Sequence, residues 1–162
     1  MSGLVGLNTA PTQVEGEDLS DKDQGIKPIE VARQAEIMGY RFMGPRIAIM
    51  RDPMDVKVGS FYLPQTSRRE KRSGIIVAVG LGMAFDAKED SQAQAVLDTV
   101  RPGQRVLFTK YEAVQMAVQL LEKSVTLDFL HWKDIYVLAP ADKADEADWK
   151  DFNQYQYPND EA

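Results

Sequence analysis

Beyond Tyr40 the sequence predicts an all-β domain, a small sandwich or barrel, and three observations carry that reading. Short apolar or alternating runs succeed one another with turn residues between them. Gly74-Ile-Ile-Val-Ala-Val-Gly80 is continuously apolar, largely β-branched and bounded by glycines, which suits a strand covered on both faces better than a helix of that length. Arg101-Pro-Gly-Gln104 is turn chemistry placed directly before the β-rich run Arg105-Val-Leu-Phe-Thr109.

Taken in order, residues 1–26 are polar, acidic and punctuated by glycine, so little core can form there. Lys27 to Met38 predicts a short helix: Pro28 suits a first turn, Ile29, Ala32 and Ile37 can share one side, and Gly39 can stop it. Arg46-Ile-Ala-Ile-Met50 is the first strand, and the run from Gly74 to Gly80 should lie centrally. Strands at 105–109, 125–130 and 135–138 follow, with a turn at His131-Trp-Lys-Asp134. The connections 52–72 and 82–100 are too long for hairpin turns, and long connections inside a domain are usually functional, mobile or both. After Pro140 comes an acidic segment expected to be exposed, although Trp149, Phe152, Tyr155 and Tyr157 make docking an even alternative. The chain thus divides into an N-terminal extension (1–39), a β domain (40–139) and a C-terminal tail (140–162).

The 162 residues hold one compact domain plus extensions, and 44% apolar with 27% charged residues is ordinary for a globular protein. With no cysteine, disulfides, thiolate metal sites and a thiol nucleophile are excluded, which fits a reducing compartment such as the cytoplasm. Met1-Ser-Gly-Leu-Val-Gly-Leu7 lacks the basic flank and apolar core of a signal peptide, and no apolar run approaches a membrane span. A soluble protein without a membrane partner is expected. The net charge of −6 disfavours a nucleic-acid partner, and the basic cluster Arg68, Arg69, Lys71 and Arg72, interrupted by Glu70, reads as solvated surface.

Reactive groups are scarce. His131 is the only histidine and lies in a turn, with no nucleophile-elbow sequence to accompany it. Gly80-Leu-Gly82 begins like a dinucleotide loop, but Phe85 occupies the third glycine position. Asp21-Lys-Asp23 begins like a calcium loop, but Gly25 is out of register and the closing glutamate is missing. No catalytic residue, metal or cofactor is therefore expected, and an enzyme is disfavoured.

In their order along the chain the motifs resemble the co-chaperonin family typified by bacterial GroES, over about Tyr40 to Leu138. Tyr40-Arg-Phe-Met-Gly-Pro-Arg-Ile-Ala-Ile49 is similar to the family's opening segment, a short edge strand leading to a basic residue, here Arg46. Gly59-Ser-Phe-Tyr-Leu-Pro64 stands where the family has a Gly-Gly-aliphatic tripeptide at the end of a long loop. Gly74 to Gly80 resembles the family's Gly-x-Val-Val-Ala-Val-Gly strand, and Val100 to Tyr111 its Val-Lys-x-Gly-Asp-x-Val-Leu-Phe-x-x-Tyr segment. Trp132-Lys-Asp-Ile135 is similar to its closing Glu-Ser-Asp-Ile. Phe61 and Tyr62 replace branched aliphatics, Ser60 replaces a glycine, residues 82–100 match less cleanly, and both extensions lack a counterpart. These departures are those expected of a divergent member, such as a virus-encoded one.

The resemblance implies a GroES-like small β-barrel with a long mobile loop at 52–72 and a roof hairpin at 82–100. It further implies a co-chaperonin that caps a GroEL-type chaperonin ring and closes the folding chamber. Gly59, Ser60, Phe61, Tyr62, Leu63 and Pro64 would contact the chaperonin. Tyr40, Arg41, Phe42 and Met43 would pair with Ile135, Tyr136, Val137 and Leu138 of a neighbour in a homo-oligomer, heptameric by the same resemblance. The alternative is an assembly or virion structural protein that reuses the barrel while its extensions wrap neighbours. A hydrolase or transferase with an unrecognised site has the least support.

Overall fold

A computed structural model of the chain describes residues 23–53, 57–58, 61–62, 72–108 and 113–156. Its strands are β1 (Arg46–Arg51), β2 (Lys57–Val58), β3 (Phe61–Tyr62) and β4 (Ser73–Val79), then β5 (Arg105–Phe108), β6 (Val114–Gln119), β7 (Ser124–His131) and β8 (Ile135–Ala139). Six of them form one sheet in the order β6-β7-β1-β4-β5-β8. All of its neighbours pair antiparallel. The other two, β2 and β3, form a separate two-stranded sheet. Its helices are α1 (Pro28–Ile37), α2 (Gly82–Glu89), α3 (Ser91–Thr99) and α4 (Lys143–Gln156).

The continuous apolar character of the central strands follows from helices covering both faces of the sheet. Ile47, Ile49, Ile76, Val106 and Leu130 face Met83, Ala93 and Val100 of the α2–α3 region, together with Trp132. Ala48, Met50, Val77 and Leu127 face Ile29, Val31, Ala32 and Ala35 of α1 and Trp149 and Phe152 of α4. β4 lies between β1 and β5, so the prediction of a central strand holds. Gly74 lets β1 and β4 approach, since a Cβ there would lie 2.7 Å from the Met50 carbonyl oxygen.

The expected N-terminal helix is present as α1, begun by Pro28 in its first turn. Gly39 follows it with a φ of +78°, a conformation that ends helices and favours glycine. Gln24, just upstream, substitutes for a strand: its side-chain amide donates to the Thr126 carbonyl at 3.0 Å and accepts from the Thr126 N–H at 2.6 Å. That stretch of β7 lies beyond the residues paired with β1, so one side chain satisfies backbone groups that a neighbouring strand would otherwise take.

Two expectations need correction and one alternative is decided. The roof segment is not a hairpin of strands but the helix pair α2 and α3, because Asp90 caps α3 by accepting from the Gln92 N–H at 2.8 Å and its sequence is rich in alanine and glutamine. The acidic tail follows the docking alternative rather than the exposed one over residues 143–156: it is α4, which buries Trp149 and Phe152 against the sheet. Finally, the core is the antiparallel β fold expected, but among the described residues the sheet is not closed into a barrel, and β6 and β8 remain its two edges. With helices over both faces, closure is not required to bury the strands.

Within the six-stranded sheet, β6 is the one strand that the sequence does not predict. It pairs with β7 from Val114↔Phe129 to Gln119↔Ser124.

Candidate protein-contact site

The connection 52–72 leaves the sheet between two feet held together. The Asp52 N–H donates to the Ser73 carbonyl at 2.9 Å, and the Ser73 hydroxyl donates to the Asp52 carboxylate at 2.6 Å. Arg105, on β5, adds an ion pair to that same carboxylate. One step inward, Arg51 and Asp128 form a fully buried ion pair, with the Arg51 guanidinium 5.2 Å from the centroid of the Phe108 ring. Charges at such depth persist only when paired, so this pair fixes the junction of β1, β7 and β5 from which the connection springs.

Within the connection, Phe61 and Tyr62 form β3 and pair back on β2, with Lys57↔Tyr62 and Val58↔Phe61 in register. Gly59 and Ser60, the two residues between these strands, and Leu63 and Pro64 after them lie outside the described residues. The expected contact residues Phe61 and Tyr62 therefore belong to a small hairpin separate from the six-stranded sheet. A lone two-stranded hairpin has little independent stability, so its backbone pairing costs little to rearrange.

Of the expected subunit-contact segments, residues 135–138 belong to the edge strand β8, whereas residues 40–43 run beside the end of β4 and reach β6 through the Tyr40 side chain. Residues 40–43 carry no strand. They are anchored instead by single bonds: the Tyr40 hydroxyl donates to the Gln119 carbonyl at the end of β6, and the Phe42 carbonyl accepts from the Leu81 N–H at 2.8 Å. Tyr40, Arg41 and Met43 are exposed, whereas Phe42 turns inward against Phe129 at 6.0 Å between ring centroids. At one edge of the sheet among the described residues, β8 pairs with β5, with Tyr136 69% and Val137 48% exposed. Ile135 and Leu138 lean onto the core.

Several supporting residues escaped the sequence reading. Trp132 was noted only as part of a closing motif, yet it is buried and its indole N–H donates to the Asp86 carboxylate of α2 at 2.9 Å, tying the helix pair to the end of β7. Asp128 sits as a lone charge in the apolar run Val125 to Leu130, and a buried charge in such a run signals a buried partner. His131 caps the following turn by accepting the Lys133 N–H on Nδ1 at 3.1 Å, a structural task. Among the described residues, no cluster of His, Cys, Asp or Glu is placed to hold a metal, and no helix is long and apolar enough to cross a membrane.

Comparison with known proteins agrees with this architecture. The family model described as the chaperonin 10 kDa subunit, Cpn10, matches residues 40–139. The co-chaperonin GroES of Caulobacter vibrioides is 32% identical over 82 residues, which span 50% of this chain and 80% of that protein. The co-chaperonin GroES of Geotalea daltonii is 31% identical over 83 residues, 51% of this chain and 81% of the relative. That of Chloroherpeton thalassium is 29% identical over 82 residues, 50% of this chain and 81% of the relative. The family match takes in β1 through β8 and leaves α1 and α4 outside it. With more than half of its length matched, the chain belongs to the chaperonin 10 kDa subunit family, as a divergent member.

Proposed function

We propose that this protein is a co-chaperonin that caps a GroEL-type chaperonin ring through residues 59–64 and closes the chamber over client proteins. The observation that carries the reading is the β2–β3 hairpin, separate from the main sheet and set in a connection whose feet Asp52, Ser73 and Arg105 clamp together. Burying Phe61, Tyr62 and Leu63 in an apolar groove is worth about 5–8 kcal/mol. Ordering a few residues at about 1–2 kcal/mol each removes most of that gain, so one copy binds weakly. Several copies on a ring bind through effective concentration, and a change in the partner's groove releases them together.

The ring itself is a homo-oligomer, heptameric by family resemblance, joined head to tail. The reading is supported by β8 being an edge strand among the described residues and by residues 40–43 carrying no strand of their own, so that each can complete the other's pairing between copies. The rival reading, an assembly protein whose extensions wrap neighbours, is weakened because α1 and α4 pack on their own sheet.

The test is Phe61→Ala combined with Leu63→Ser. The variant should keep the oligomeric mass of the unaltered protein and lose nucleotide-dependent capture by a chaperonin. Capture at the original level refutes the assigned contact.

A further inference from the structure

We propose that the Asp52 carboxylate is a positioning group for chaperonin capture: it fixes the root of the 52–72 connection and so the place from which the β2–β3 hairpin is presented. This deepens the reading above and rests on it, since it takes residues 59–64 as the contact.

Three observations carry the inference. First, one carboxylate oxygen of Asp52, Oδ2, receives both the Ser73 hydroxyl at 2.6 Å and the Arg105 guanidinium. The start of the connection, its end and β5 therefore meet at a single atom. The backbone follows the same plan, with the Asp52 N–H donating to the Ser73 carbonyl and the Phe108 N–H to the Arg72 carbonyl, both at 2.9 Å. The Asp52 side chain is 22% exposed, so its charge is partly shielded from salt and solvent. Second, Pro53 comes next, and a proline confines the residue before it to extended backbone. Once Asp52 is held, the direction in which the chain leaves the sheet is set.

Third, the two arms of the connection are unequal. Residues 53–56 separate Asp52 from β2, whereas residues 63–72 separate β3 from Ser73. At roughly 3.3–3.6 Å per residue, the first arm keeps Lys57 within about 18 Å of Asp52, while the second can span about 40 Å. The short arm decides where the hairpin can stand, and Asp52 is its anchor. With the carboxylate bonds removed, the root can swing, and a hairpin that samples a wider volume meets its groove in the binding orientation less often. The loss falls on association rather than dissociation, because the contacting residues themselves are unchanged.

The test compares full-length Asp52→Asn, Asp52→Glu and Ser73→Ala proteins with the unaltered protein, each passed over an immobilised GroEL-type chaperonin in the presence of nucleotide. Asp52→Asn should slow association at least about fivefold and leave dissociation within about twofold, with the same oligomeric mass and a Tm within about 3 °C. Asp52→Glu, which keeps the charge, should recover most of the rate. Ser73→Ala, which leaves the Arg105 pair, should fall between them. Unchanged association of Asp52→Asn overturns the inference and leaves the contact reading intact, as does a loss confined to dissociation. A loss that follows a fall in Tm or mass and is not recovered by Asp52→Glu marks a merely structural role and also overturns it. Should Asp52→Asn fail to fold, unaltered association of Ser73→Ala overturns it. No capture of the unaltered protein overturns both the inference and the reading beneath it.

Discussion

Trp149→Ala tests whether the C-terminal helix is an integral part of this fold. Trp149 is 4% exposed, meets Phe152 edge to face at 5.7 Å, and packs against Gly103 in the 101–104 turn. A Cβ on Gly103 would fall 2.5 Å from its ring, so the contact leaves no room for a methyl group. Asn153 adds a hydrogen bond from its side-chain N–H to the Pro102 carbonyl at 3.0 Å. Removing a buried Trp side chain costs about 3–5 kcal/mol, a third or more of the stability of many domains. At roughly 2–4 °C per kcal/mol for a chain of this size, Tm should fall by about 6–20 °C. Thermal unfolding followed by circular dichroism at fixed protein concentration measures it, with Trp132 fluorescence as a second probe. Gly103→Ala attacks the same contact from the other side and adds the strain of a φ of +101°. In a chain lacking residues 140–162 its clash disappears and only the strain remains. A Trp149→Ala shift below about 2 °C, or an equal cost of Gly103→Ala with and without α4, would refute the docking argument.

Three further outcomes are expected. Gly82→Ala should lower the urea midpoint by an amount equivalent to at least about 2 kcal/mol, because its Cβ would sit 2.3 Å from the Gly44 carbonyl carbon, a backbone atom with little freedom to yield. Arg51→Met and Asp128→Leu should each cost about 3–5 kcal/mol in chemical denaturation, while the double variant recovers most of the loss; additive losses would show that the pair is not the relevant unit. Gln24→Ala should leave the fold intact but speed hydrogen exchange at the Thr126 amide at least about fivefold, and unchanged exchange would mean that Gln24 does not complete the sheet there.

Buried strands were legible in the sequence and exposed or helical elements were not, for reasons visible residue by residue. β1 and β4 announce themselves because helices on both faces demand apolar, largely β-branched residues at consecutive positions. β6 does not, since its Gln, Met and Ala residues suit a helix equally well and all six positions are exposed or half-buried at a sheet edge. The α2–α3 pair was obscured by expectation of a hairpin, although Asp90 followed by Ser-Gln-Ala-Gln-Ala is a readable helix start. In α4, abundant acidic residues mask the apolar side, and only Trp149 and Phe152, three apart, betray it. Of the proposed contact residues, Phe61 and Tyr62 stand in a small hairpin, Tyr136 and Val137 on an edge strand of the described sheet, and Phe42 packs inward. Tertiary burial of Phe42 has no signature in a segment of alternating large side chains.

That α1 and α4 share one face of the sheet has a consequence for biosynthesis. A ribosome delivers the strands, from Arg46 to Ala139, before it delivers the helix at Lys143–Gln156. Until that helix emerges, Met50, Val77 and Leu127 have only half of their roof, and the growing chain presents a sticky sheet to its surroundings. Translation must pass Gln156 before this member of a folding-assistance family can itself complete the cover over that face of its sheet.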